Sequence, residues 1–364
     1  MAADVPRTGL AGRVAAVADR VLAPDAAAVD AGTVRRSSLD ALAAIGLFGM
    51  AVGPGLGPAL DPDIGPGVGA AEVREVTELL VAADAATAFV TAQHHLVARY
   101  VASARTGLRE RLGPDLAAGR LIAGQGFSQL RRPGPPTLRA TRFDGGWRFD
   151  GAVPWYTGWG LNDVCLLAGR TGADPDEAVF AVVPAVAGPH LSASEPMALL
   201  AMSATRTVEL AVDGLRVGDD DVARVLPMAR WAAADARRTP NANPAVFGVA
   251  RASLAGLAER DEAHVPGVSA AVAAFGSRLV DVRARAYRLL DDVPDDEALD
   301  ERLELRVRAL QLALDVTAAE VAASAGAAMT AGSPAQRHAR EALFLSVQAQ
   351  TADVRGATVA ALAG

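Results

Sequence analysis

The sequence predicts a mainly α-helical protein: an N-terminal helical domain, a small middle β domain (barrel or sandwich) and a C-terminal four-helix bundle. Three observations carry this expectation. Apolar residues recur at three-to-four spacing before about residue 120 and again after about residue 226. Between them the texture changes to short apolar runs punctuated by glycine. And 364 residues are too many for one simple core. The expected domains are 1–120, 121–225 and 226–364.

Taken in order, "LAGRVAAVADRVLAPDAAAVD" and "SSLDALAAIGLF" read as helices, the second with Ser38 as N-cap. The stretch Ala41–Leu60 is uncharged, but Gly53, Pro54, Gly55, Gly57 and Pro58 would break a membrane span, so it reads as a helix end followed by a loop. "GPGLGPALDPDIGPGVG" lacks the Lys-Ser/Thr ending of a phosphate loop and reads as a connector. Two more helices follow in "AAEVREVTELLVAADAATAFVTAQHHLVARYVASA". Strands are expected in "PTLRATRFDGGWRFDGAVPWYT", "DVCLLAGRTG", "EAVFAVVPA" and "RTVELAVDGLRV", with turns at Gly145-Gly146 and Asp213-Gly214. Four long amphipathic segments, beginning at Pro244, Val268, Asp300 and Pro334, complete an antiparallel bundle.

Charge and composition narrow the function. The net charge of −7 argues against nucleic acid or an anionic membrane as partner. All 35 basic residues are arginine, a bias no single site could require. The lone Cys165 excludes an internal disulfide framework, and the N-terminus lacks the pattern of a signal peptide, so the cytoplasm is expected.

Three of the four tryptophans, Trp147, Trp155 and Trp159, crowd into "GGWRFDGAVPWYTGWG". That segment belongs to "IAGQGFSQLRRPGPPTLRATRFDGGWRFDGAVPWYTGWGLNDVCLLAG". Together with "SLDALAAIGLFGMAVGPGLGPAL" and "SAGAAMTAGSPAQRHAREALFLSVQAQT", it resembles the acyl-CoA dehydrogenase superfamily, with Arg340 at that family's Arg-Asp position. The resemblance implies FAD as cofactor and an acyl-CoA or related small molecule as substrate. It also implies a homodimer or homotetramer, or a heteromer with a related subunit. It places Trp155 against one face of the flavin ring, Thr157 near N5, and Phe127 and Ser128 beside the ring. Trp147 is expected to pack near the surface, and Trp159 is left open.

Other positions depart from the family pattern. The usual glutamate base falls, nine residues after Arg340, on Ala349. The alternative base position, counted back from Gly248, falls on Arg238, with Asp235 the nearest acid. Neither alanine nor arginine can take an α-proton. The diphosphate-binding Arg-x-x-Phe-Gly is replaced by "AERDEAHVPGVSA", leaving Arg260 or His264 as substitutes, and the glycine loop reads "AASAGAAMTAG". The adjacent His94 and His95 point about 100° apart on a helix, so no metal is expected between them. As possible bases they join Asp235, with one histidine packed and the other solvated as the plainer expectation. Arg131-Arg132 could meet an anionic group of substrate, or simply lie exposed. Three functions fit: an atypical dehydrogenase, a flavin monooxygenase on the same scaffold, or a non-catalytic subunit.

Overall fold

The computed structural model describes residues 9–52, 68–104 and 107–363. The glycine- and proline-rich connector and the first eight residues, on which two of the expectations rest, lie outside these. The N-terminal helices are α1 (Gly9–Val17), α2 (Ala23–Asp30), α3 (Arg36–Ala44), α4 (Ala70–Ala83), α5 (Ala85–Ala102) and α6 (Leu108–Ala117). Ser38 is not the cap of α3: Arg35 holds that position in extended backbone, and Ser38 is buried inside the first turn. Asp84 separates α4 from α5 and caps α5, accepting the Ala86 and Thr87 amides at 3.0 and 3.3 Å.

The strands are β1 (Ala123–Gly126), β2 (Leu138–Phe143), β3 (Gly146–Tyr156), β4 (Val164–Arg170), β5 (Glu177–Pro184), β6 (Leu191–Ala193), β7 (Val208–Gly218) and β8 (Val222–Pro227). They form one mixed sheet in the order β6-β7-β3-β2-β4-β5-β8, with β1 joined in parallel to β4. The sheet curls around its own core, because one cluster holds Leu191 and Val208 from one end and Val183 and Val222 from the other. β4 and β5 are apolar on both faces for a reason. Cys165, Leu167, Val179 and Ala181 point into that core, while Leu166, Ala168, Phe180 and Val182 meet Val97 and Val101 of α5 on the other side.

Gly145 makes the expected turn, between β2 and β3. Asp213-Gly214 does not turn the chain; it lies inside β7 as a bulge, where register slips between Phe149 and Gly151 of β3. Gly214 takes φ +63°, and its amide donates to Asp150 Oδ1 at 2.8 Å, so the Asp-Gly signal is real but serves a bulge.

The bundle comprises α8 (Pro244–Ala258), α9 (Val268–Asp292), α10 (Leu299–Ser324), α11 (Pro334–Leu345) and α12 (Ala352–Leu362), preceded by α7 (Met228–Arg238). The fourth expected segment is therefore two helices. The break at 346–351 contains Ala349 with φ +52°, an uncommon conformation for alanine. One stretch beginning with α10 is long and apolar enough to span a bilayer, yet buried Arg302 and Glu320 mark α10 as a polar-anchored bundle helix.

Candidate functional site

The residues expected to meet a cofactor lie where β1, the end of β3 and α5 converge. β3 alternates between buried and more open residues; Tyr156 is fully buried, yet its neighbour Trp155 is 48% exposed. Alternation along the strand explains the contrast: successive side chains take opposite faces. An indole left that open at the end of a packed strand is a surface waiting for a flat partner. Thr157 is buried, and its hydroxyl lies 3.2 Å from that of Thr207, which lies 3.1 Å from Thr205. Thr205 donates to the Met202 carbonyl at 2.7 Å. Each hydroxyl has one proton, so along this row Thr207 donates to Thr205 and Thr157 to Thr207. Thr157 is therefore left with lone pairs and no proton to donate.

Phe127 and Ser128 follow β1. Ser128 is exposed, at the start of a short 3-10 turn running to Arg131. Phe127 leans the other way, with its ring 5.6 Å from Phe180 and 6.0 Å from Tyr100. On either side of the pair, Gln125 Oε1 and Gln129 Oε1 are buried acceptors without a partner. Gly124 in β1 is required by close packing: a Cβ there would meet Asn162 Nδ2 at 2.1 Å and the Tyr156 hydroxyl at 2.5 Å. An open indole, a lone-pair-bearing threonine and orphaned acceptors fit a flat heteroaromatic group carrying N–H donors, as an isoalloxazine does.

Trp147 is not at the surface; it is buried in the sheet's core, with the Arg142 guanidinium 5.3 Å above its ring. Trp159, half-buried, meets Tyr156 edge-on at 6.0 Å, and its carbonyl accepts Arg206 Nε at 2.9 Å.

None of the candidate bases is free to take a proton. Asp235, on α7, is held by Arg131 through two bonds, Nε to Oδ2 at 2.7 Å and Nη2 to Oδ1 at 2.8 Å. His94 Nδ1 accepts the Ala123 amide at 3.2 Å, so Nε2 carries the proton and donates to the Leu116 carbonyl at 3.1 Å. Burial holds its pKa down to about 4. One of the two was expected to be solvated; instead both are buried, and His95 Nε2 has no partner. Burial, then the neighbouring His94 and Arg99, push its pKa well below the usual value. Both rings stay neutral and pack around Phe48, whose centroid lies 4.6 Å from that of His94 and 6.0 Å from that of His95.

At the α11–α12 break, the Gln348 and Ala349 carbonyls accept Arg306 Nη2 at 3.0 and 3.4 Å. The position of the usual base is thus lined by an arginine of α10. Arg340 instead ties α11 to Asp30 of α2 and to the Leu200 carbonyl. Arg260 donates to Ser324 Oγ at 2.8 Å, and exposed His264 faces Asp261 at 3.2 Å. Both are engaged within the bundle.

Sequence reasoning missed several elements around the site. β1, "AGQG", has no strand signal, because two of its four residues are glycine. α7, which carries Trp231, Asp235 and Arg238, precedes the four expected bundle segments and was not among them. No signal in one dimension would have gathered Tyr100, Arg224 and Arg306 beside them.

No family model and no curated protein sequence matches the chain. Solved structures do. Butyryl-CoA dehydrogenase from Megasphaera elsdenii superposes with a TM-score of 0.78 at 17% identity, covering 99% of this chain and 100% of that one. A glutaryl-CoA dehydrogenase from Mycobacterium smegmatis in complex with FADH2 gives 0.75 at 18% identity, covering 97% and 93%. Nitrososynthase from Micromonospora carbonacea var. africana gives 0.72 at 22% identity, covering 100% and 99%. Across its whole length, the chain has the acyl-CoA dehydrogenase fold.

Proposed function

We propose that the protein is a flavin-dependent oxidoreductase that works without a carboxylate base, with Phe127, Ser128, Trp155 and Thr157 holding the FAD ring. The observation that carries the reading is the open face of Trp155, together with the orphaned acceptors Gln125 and Gln129. When bound, the flavin supplies hydride acceptance and, once reduced, reactivity toward oxygen. The chain's own groups bind and orient. Trp155 covers one ring face and excludes water from it, Thr157 offers an acceptor, and Ser128 offers an exposed hydroxyl. No side chain described here takes an α-proton: Ala349 has none to offer, Asp235 is committed to Arg131, and His94 and His95 are engaged or sealed. That absence favours monooxygenation over acyl-CoA dehydrogenation, since oxygen transfer does not require that proton. A nitrososynthase among the structural neighbours is in keeping with chemistry beyond desaturation on this fold.

The test is the visible spectrum of purified protein, followed by Trp155→Ala. A flavin band in the wild type, diminished or shifted in the variant, is the expected result. A variant with wild-type flavin content and spectrum would remove Trp155 from the site. Protein that takes up no FAD would instead support the non-catalytic subunit.

Self-association, as dimer or tetramer, belongs to the same proposal. Leu343, Val347, Val359 and Leu362 are exposed on and around α11 and α12, where a second copy could cover them. Light scattering at micromolar concentration should show an oligomer.

A further inference from the structure

Around Tyr100 the fold collects positive charge with a single acid, Asp235, paired to it among the described residues. Arg224 donates to Ser103 Oγ at 3.0 Å, and its guanidinium lies 5.7 Å from the Tyr100 ring centroid. Tyr100 is fixed from behind, stacked on Phe180 at 4.7 Å and hydrogen-bonded by the Trp231 indole. The adjacent Arg99 side chain makes no hydrogen bond or ion pair among the described residues, and the charge of Arg238, from α7, acts on it. Arg238 sits three residues after Asp235 on α7 and is likewise unpaired among the described residues. Arg131 and Arg306 extend the group toward Ala349. Of these five arginines only Arg131 meets a carboxylate, that of Asp235.

Burial, reinforced by Arg238, weakens the hold of Arg99 on its proton, and burial with Arg131 lowers Arg306 to about 10. Partly buried like charges held together without acids are costly, and natural proteins keep such an arrangement where an anion comes to meet it. Two guanidinium forks side by side match the oxygens of a carboxylate or phosphoryl group.

We propose that the substrate carries an oxyanion, a carboxylate or a phosphoryl group, bound between Arg99 and Arg238 at the Tyr100 edge of the cleft. The inference rests on this cleft being the substrate site of the proposed flavoenzyme. Arg224 adds a third cation behind Tyr100, and the Tyr100 hydroxyl, kept protonated by burial, is a neutral neighbour for the bound group.

The test titrates the purified full-length protein with inorganic phosphate and, separately, with glutarate, holding ionic strength constant with chloride. Tryptophan fluorescence reports through Trp231, and thermal melting reports binding independently. The expected result is saturable binding of at least one probe, weakened about tenfold or more in Arg99→Gln and in Arg238→Gln. Arg278→Gln, which removes an exposed pair with Asp315, should leave it unchanged. Arg238 is exposed, so its variant keeps the test available if Arg99→Gln does not fold. The two probes tell a carboxylate site from a phosphate site. No saturable response to either probe, an equal response to chloride, or undiminished affinity in Arg238→Gln would overturn the proposal. So would loss of oxyanion binding on saturation with FAD, which would assign the arginines to the cofactor's diphosphate. Oxyanion binding in protein that takes up no flavin would leave an anion site at these arginines but overturn its assignment to the substrate of a flavoenzyme.

Discussion

Two arginine clusters in this molecule have opposite balances. Between α4, α8 and α9, Arg74, Arg251 and Arg283 meet Asp291, Glu75 and Glu78, three cations against three anions. Glu78 is fully buried; it accepts Arg251 at 2.8 Å and Arg283 at 2.7 Å, and the Tyr287 hydroxyl donates to it at 2.5 Å. Around Tyr100, five arginines share Asp235 alone. A closed, neutral network pins helices together and leaves nothing for a ligand. An open one is under-compensated until something negative arrives, which is how architecture and site can be told apart with no ligand in view.

The largest effects should come from changing that balance. Ala349→Glu puts a carboxylate at the usual base position, where both Nη atoms of Arg306 are already given to the Thr239, Gln348 and Ala349 carbonyls and leave the new group open to an acyl thioester. The wild type should desaturate straight-chain acyl-CoA negligibly, and the variant, if FAD binds, should gain up to ~10²–10⁴-fold in a dye-coupled assay. The φ of +52° is a strain that alanine already bears there, so the exchange adds little backbone cost. Brisk wild-type turnover would show that an unrecognised base is at work.

In the closed cluster, Glu78→Ala leaves Arg251 and Arg283 to share Glu75 and the Tyr287 hydroxyl without its acceptor, and should cost ~3–5 kcal/mol in denaturant unfolding. A cost below about 1 kcal/mol would mean that the cluster is better solvated than its burial indicates. The same exchange should leave oxyanion binding unchanged, since Glu78 lies in the other cluster.

The histidines give a pH signature of intermediate size. With its folded pKa lowered to about 4 by burial, His94 is neutral in the fold but protonates in the unfolded chain near its ordinary value. Its contribution is fully present above about pH 6.5 and declines as pH falls toward 4, by ~3 kcal/mol, with His95 steepening the loss. Melting curves from neutral pH to about pH 4 should show it, and His95→Gln should flatten the profile.

The smallest effect expected is that of Asp235→Asn. Removing the one carboxylate of the open cluster should cost ~1–3 kcal/mol of stability while tightening phosphate or glutarate binding. Unchanged or weakened oxyanion binding would show that Asp235 screens nothing at the site.

Periodicity made the helices and the main strands legible, because burial on one or both faces writes itself into spacing. β4 and β5 could be read as strands from their short apolar runs alone. The break at Ala349 could not, since "SVQAQT" holds neither glycine nor proline; Arg306, binding the local carbonyls, helps hold the chain there. Asp213-Gly214 was misread because a bulge and a hairpin turn ask for the same residues. At the site, Trp155 was visible from its neighbours in sequence. The idle role of His94 was not, because the groups that satisfy it, Leu116 and Ala123, come from α6 and β1. The arginine group is the extreme case, converging from α5, the turn after β1, β8, α7 and α10.

The double-sided burial of β4 and β5 also sets where the molecule moves. Amides whose bonds are covered by packing on both faces open only with the whole fold, so this pair should exchange hydrogen with solvent among the slowest in the chain. Phe180 of β5 is the stacking partner of Tyr100 and the edge-on partner of Phe127, so both sides of the cleft rest on that slow pair. α12 is largely exposed, with Val354 and Thr358 its buried residues, and should exchange early. An incoming ligand would then meet a floor already in place, and the ordering left to its binding falls on the long arginine side chains rather than on the backbone beneath them.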